Sequence, residues 1–264
     1  MVEFVKRDGV AVITLSRPER LNAVSYDDTV DLLAILGGLK EDLETKVVIL
    51  TGAGRAFCAG MDIQQDDTGP TGGEQSEGAV QRIYRNMVRA GELVLGLREI
   101  PQPVIGALHG PVVGMAFSLA LACDLRVASP TTKFISPFLK LGFSAGDLGL
   151  SWMLPRLIGT ARAGEIFYRA QTVGAERALE LGLVTEIAED DLAGAEALAA
   201  ELMTRSPFGL RHTKELLNLA MDAPGLRTHL AVENRTQTMA FLTEDLKEGM
   251  AATMEKREPK FRNR

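Results

Sequence analysis

The chain has 264 residues, 46% hydrophobic and 24% charged, with 35 acidic against 29 basic side chains and a net charge of −6. That apolar content supports a real core in one large or two small domains and excludes bulk disorder, while the acidic excess argues against nucleic acid or an anionic membrane as main partner. Two cysteines, Cys58 and Cys123, make no disulfide framework and point to a reduced, cytoplasmic setting, and the opening MVEFVKRDG lacks the apolar region of a signal peptide.

Residues 4–6 and 10–15 flank Asp8-Gly9, a two-residue hairpin signal. An apolar-periodic stretch from 21–23 through Leu39 predicts a helix, and residues 47–50 predict a short buried strand. Residues 64–78, rich in glycine and acids, predict a mobile surface loop. Helix is then expected over 80–98, strand over 104–108, helix over 115–122 and strand over 125–128, with Phe134 and Ile135 pairing with that strand. Residues 150–157 read as helix. After Thr172 helices dominate, over 175–181, 192–205, 208–221 and 226–254, with strand only within 183–187. Early alternation followed by a helical tail predicts an α/β core with a helical C-terminal region.

Residues 100–123 carry no formal charge with His109 neutral, a length that spans a bilayer. Pro101, Pro103 and Pro111, with Gly106, Gly110 and Gly114, break it instead into a buried strand, a turn and a buried helix. His109 within this run reads as a buried core histidine, and the three isolated histidines offer no metal spacing.

Several motifs invite chemistry. The G-x-G of Gly52 and Gly54 follows a strand, but Phe57 stands where a dinucleotide fingerprint needs its third glycine. Gly142-Phe-Ser-Ala-Gly146 matches the nucleophile elbow of serine hydrolases, with His212 and His229 downstream. That elbow requires a buried strand running into it, and Ser136-Pro-Phe-Leu-Lys-Leu141 carries a proline and a lysine there. Asp147, between an apolar segment and a predicted helix, fits a turn or N-cap aspartate on its own.

Three segments together give the chain a resemblance to the crotonase (enoyl-CoA hydratase/isomerase) superfamily. They are Arg17-Pro-Glu-Arg-Leu-Asn-Ala23, then Arg55-Ala-Phe-Cys-Ala-Gly-Met-Asp-Ile63, and Pro103-Val-Ile-Gly-Ala-Leu-His-Gly110 continuing through Cys123-Asp-Leu-Arg-Val-Ala128. The resemblance implies a spiral ββα acyl-CoA-binding core over 1–190, a helical trimerisation region over 191–264, and a homotrimer or dimer of trimers. It implies an acyl-CoA thioester substrate, coenzyme A being part of the substrate and no separate cofactor being needed. The thioester oxygen would be held by the N–H groups of Met61, following Ala59-Gly60, and Met115, following Gly114; backbone donors leave the side chain free to vary. CoA would be bound by Leu21, Ala23 and the backbone of Met61, Asp62 and Ile63. Lys256 would reach the nucleotide phosphates of a neighbouring subunit, or would simply be a solvated lysine.

The chain departs from the hydratases of this family. Their two water-activating glutamates match Ser118 and Phe138 here. Neither is a carboxylate, and Phe138 suggests an apolar acyl pocket. Asp147, five residues before Trp152 and followed by Leu154-Pro155, resembles the single acid of isomerase-like members. One carboxylate suffices to carry a proton between C2 and C4 of an enoyl thioester, and an apolar setting would strengthen it as a base. Double-bond isomerisation by Asp147 is therefore the leading expectation. Hydration by a rearranged site with Ser118 holding water, thioester hydrolysis, and a non-catalytic acyl-CoA-binding relative are the alternatives.

Overall fold

The computed structural model describes residues 1–62 and 78–264; Ile63 and all but Gly78 of the loop expected over 64–78 lie outside the described residues. Strands β1 (Val2–Arg7) and β2 (Val10–Leu15) form the hairpin expected around Asp8-Gly9. Both turn residues occupy the left-handed region, at φ 51° and 82°, as a tight turn between twisted strands requires. There follow α1 (Tyr26–Glu41), β3 (Val47–Gly52), α2 (Ala79–Glu99), β4 (Val104–Leu108), β5 (Pro111–Val113), α3 (Met115–Ala122), β6 (Leu125–Ala128) and β7 (Lys133–Ile135). Next come α4 (Leu150–Ile158), α5 (Thr160–Arg169), β8 (Thr172–Gly174), α6 (Ala175–Leu181) and β9 (Glu186–Ile187). Helices α7 (Asp191–Met203), α8 (Pro207–Ala220), α9 (Leu226–Ala240) and α10 (Glu244–Glu255) complete the chain.

The main sheet runs β1-β2-β3-β4-β6-β9 and is parallel from β2 onward. Every residue of β3 and β4 is buried, because helices cover both faces. On one face Val48 and Leu50 meet Leu32, Leu36 and Leu39 of α1 and Leu93 and Leu97 of α2, with α3 in the same core. On the other, Val47, Ile49, Ile105 and Ala107 meet Ala195 and Ala199 of α7. Period-two alternation along each strand thus feeds two cores.

Strands β5, β7 and β8 form a second sheet. The expected partner of Phe134 and Ile135 is corrected here: β7 pairs with β5 and β8, since β4 and β9 already occupy both edges of β6. The helix expected over 226–254 is also corrected. It breaks after Ala240, and Thr243 caps the next helix by accepting the Leu246 N–H at 3.1 Å. The uncharged run becomes β4, β5 and α3, and no helix among the described residues is long and apolar enough to cross a membrane.

Lysine 214 anchors α8 to the core. Its buried ammonium donates to the carbonyls of Leu97 at 2.7 Å and Gln102 at 2.9 Å and pairs with Asp124 at 2.9 Å.

Candidate active site

The segment after β3 is laid alongside β5 by main-chain bonds. Phe57 N–H donates to the His109 carbonyl at 2.7 Å, Cys58 N–H to Pro111 at 3.1 Å, and Val113 N–H back to Cys58 at 3.1 Å. The other flank of the segment is held by the N-terminal motif. Ala59 N–H donates to Leu21, Val24 N–H to Gly60 and Asp62 N–H to Val24, all within 2.9 Å. This bridge uses the polar groups of residues 60 and 62 and, by the pleat, turns the Met61 N–H away from Val24.

Met61 N–H and Met115 N–H have no internal hydrogen-bond partner among the described residues. They are neighbours, because a Cβ placed on Gly60 would lie 3.8 Å from the Met115 nitrogen. Adding the fixed geometry of the Gly60–Met61 peptide puts the two donors within about 7.5 Å of each other. The residue before each donor is a glycine with positive φ, 96° at Gly60 and 56° at Gly114. With ψ −115°, Gly114 adopts a conformation that a side chain would resist. Met115 opens α3, so the helix macrodipole adds to its N–H. Two fixed donors side by side can hold an oxygen on which negative charge develops.

Cys58 lies within this loop. It is buried, its sulfur accepts the Gly60 N–H at 3.3 Å, and burial pushes its thiol up to about 12.

The N-terminal motif is a scaffold. Asn22, in the left-handed region and buried, donates its amide to the carbonyls of Ala53, Ala56 and Phe57 at 2.8, 2.7 and 3.3 Å. Arg17 and Arg20 each reach the buried Asp62 carboxylate at 3.0 Å. The Asp62 side chain and N–H are therefore committed to the protein. The N–H groups of Leu21 and Ala23 likewise bond Pro18 and Arg20. Arg17, Arg20 and Asn22 were not picked out as functional by sequence reasoning, although the segment Arg17-Pro-Glu-Arg-Leu-Asn-Ala23 contains all three.

The acid stands beside α3, joined to it through its main-chain carbonyl. The carboxylate of Asp147 is half-buried, has no hydrogen-bond or ion-pair partner among the described residues, and is raised above the ordinary carboxylate range by burial alone. It caps no helix: Gly149 precedes α4, which has no side-chain cap. Leu148 and Gly149, at φ 44° and 80°, turn the chain from Asp147 into α4. Ser118 was expected to hold water. Its fully buried hydroxyl instead donates to the Asp147 carbonyl at 3.0 Å. The Phe138 ring covers Gly114, its Cζ 3.5 Å from where a Cβ would stand, and so forms an apolar wall beside the Met115 N–H.

Other expected residues lie apart. The nucleophile-elbow alternative fails on context, because Ser144 follows a 3-10 helix at Phe138–Leu141 and no strand enters it. Its proposed partners His212 and His229 face Glu215 and Glu233 on their own helices. His109 lies at the α7 side and pairs through Nδ1 with Asp191 at 2.9 Å. Lys256 is exposed at the end of α10, its N–H bonding Thr253 at 3.3 Å, and joins none of the contacts around α3.

The family model for enoyl-CoA hydratase/isomerase matches residues 5–264. A protein of Mycobacterium leprae named "probable enoyl-CoA hydratase" is 41% identical over 95% of this chain and 86% of its own length. The 1,2-epoxyphenylacetyl-CoA isomerase of Escherichia coli is 36% identical over 99% of both chains. A solved structure from Mycobacterium abscessus, described as a probable enoyl-CoA hydratase/isomerase, superposes with a TM-score of 0.91 at 34% identity and covers 100% of each chain. With its motifs in place from end to end on the crotonase fold, the chain belongs to the enoyl-CoA hydratase/isomerase family.

Proposed function

We propose that the protein moves the double bond of an enoyl-CoA thioester. The N–H groups of Met61 and Met115 hold the thioester oxygen. Asp147 takes a proton from C2 of a 3-enoyl thioester and returns it at C4, leaving the 2-enoyl isomer with no net change of atoms or oxidation state. The enolate formed between the two transfers is stabilised by donors already in place. One observation carries the reading. Asp147 is a half-buried acid with no side-chain partner among the described residues and is tied to α3 through its main chain, while the two positions that hold glutamates in hydratases by resemblance are occupied by Ser118 and Phe138. The isomerase named among the relatives supports the same direction.

Coenzyme A would lie along Leu21, Ala23, Ala59, Gly60 and the backbone of 61–63, with Lys256 contributed by a neighbouring subunit of a homotrimer or dimer of trimers. Exposed apolar side chains on and after α9, among them Leu226, Leu230, Phe241 and Leu242, favour such burial between copies.

Hydration of a 2-enoyl thioester, with Asp147 activating the water, is the second reading and has the name of the 41% relative behind it. The purified protein is given 3-enoyl-CoA, trans-2-enoyl-CoA and a saturated acyl-CoA, and the thioester products are followed. Double-bond migration lost in Asp147→Asn supports the proposal. Hydration of the 2-enoyl ester that survives the substitution removes Asp147 from the chemistry, and binding without turnover of any ester identifies a non-catalytic relative.

A further inference from the structure

We propose that Ser118 is a positioning residue, its buried hydroxyl fastening the Asp147 loop to the helix that carries the Met115 donor. The inference rests on the reading of Asp147 as the proton carrier and adds to it the device that fixes where that carrier stands.

Helix α3 is the sequence MAFSLALA with every residue buried, and Ser118 is its one polar side chain. A hydroxyl buried among alanine, leucine and phenylalanine costs stability unless it finds a partner. Helical serines commonly bond the carbonyl four residues back, within their own helix. Here that carbonyl, on Gly114, already receives the N–H groups of Phe117 and Ser118. The hydroxyl turns outward instead and donates to the Asp147 carbonyl at 3.0 Å.

The loop has little else to hold it. Among the described residues, every other hydrogen bond made by residues 142–149 is local, to Phe138, Leu139, Leu150, Trp152 or Met153. Residues 141–144, 146 and 149 are exposed. Among the described residues the bond from Ser118 is thus the one polar tie between this loop and α3. It originates three residues, nearly one turn, past Met115 on a rigid buried helix. One short helix therefore sets both the start of the donor pair and the seat of the acid, and the separation of enolate oxygen and proton carrier is fixed through it. The position that holds a carboxylate in hydratases by resemblance has here become a support for a carboxylate elsewhere.

Ser118→Ala separates this role from packing. The Asp147 carbonyl keeps the Leu150 N–H at 2.8 Å, so the variant leaves no orphaned acceptor. Steady-state isomerisation of 3-enoyl-CoA is measured across pH for wild type, Ser118→Ala, Ser118→Cys and Asp147→Asn, with a melting curve for each. The expected result is a fall in kcat of about 10- to 100-fold with KM within about twofold, the scale of a catalytic group displaced by an ångström. The acidic limb of the kcat/KM profile should also move to lower pH, because burial alone lifts Asp147 and a loosened loop admits water. Ser118→Cys, which keeps the volume with a weaker donor, should fall between the two. Wild-type kcat and an unmoved acidic limb in both Ser118 variants overturn the inference while loss of activity in Asp147→Asn leaves the underlying reading standing. Full activity in Asp147→Asn overturns that reading itself. A loss in the Ser118 variants that tracks only a lowered melting temperature, with an unmoved limb, assigns the hydroxyl to stability and likewise overturns the inference.

Discussion

Gly60 and Val113 are packed so closely that a Cβ on Gly60 would fall 2.8 Å from the Val113 carbonyl oxygen. The two segments that lead into the donor pair meet at this contact, and φ of 96° at Gly60 adds a backbone demand of its own. Gly60→Ala is expected to push these segments apart and to lower kcat for the thioester reaction by about 100-fold or more, the scale of losing one oxyanion donor. Steady-state kinetics on the folded variant checks it, and wild-type turnover would show that the donor spacing is set elsewhere.

Asp147 makes activity and stability pull in opposite directions. Burial raises its pKa, so between the ordinary carboxyl range and that raised value the folded state holds the extra proton. The stability associated with the proton is fully present at low pH and is lost as pH rises through the raised pKa. Asp147→Asn should therefore melt above wild type at pH 7, with the difference closing as pH falls below about 4, near the unperturbed carboxyl value. Calorimetry over that range tests the sign. In the wild type, kcat/KM should fall on acidification with a midpoint above the ordinary value, because the base form is consumed.

Asn22 supports three carbonyls of the donor loop from a left-handed backbone that few other residues adopt. Asn22→Ala orphans at least two of them in the core and should cost about 2–4 kcal/mol. Urea denaturation at pH 7 measures this, and a loss below about 0.5 kcal/mol would mean that the loop finds other donors.

Lys214 is predicted to be the pin between α8 and the core. Lys214→Met keeps the apolar stem but strands the carbonyls of Leu97 and Gln102 and leaves Asp124 without its cation, holding only the Val104 N–H. The expected cost is about 3 kcal/mol, as for breaking a buried ion pair from one side. Hydrogen exchange should show the loss concentrated in α8 and the end of α2; uniform protection across the chain would argue against a pin.

Much of the fold was legible because local signals agreed with the tertiary result. Asp8-Gly9 marked its hairpin, and Met115–Ala122 was bounded by Gly114 and a run without charge. Helix α5 was missed, because most of Thr160–Arg169 is charged or small and its apolar residues gather in Ile166-Phe167-Tyr168 instead of recurring at helical spacing. The partners of β7 were missed because strands of three residues carry too little pattern to say which edge they join. At the site, the glycines before Met61 and Met115 were visible, and so was the acid. The bond from Ser118 to Asp147 was not, since a hydroxyl's partner 29 residues away leaves no trace in spacing. The same holds for Asp62, whose two arginines lie 42 and 45 residues off.

The depth of Cys58 has a chemical consequence. A 2-enoyl thioester is a soft electrophile, and a thiolate beside it would add to its β-carbon and end the enzyme's working life. Two residues from Gly60, the protein keeps that sulfur protonated at neutral pH, with its thiol pushed up to about 12, and shielded from solvent. Under the proposed function, the loop would therefore grip a Michael acceptor repeatedly without being alkylated by it.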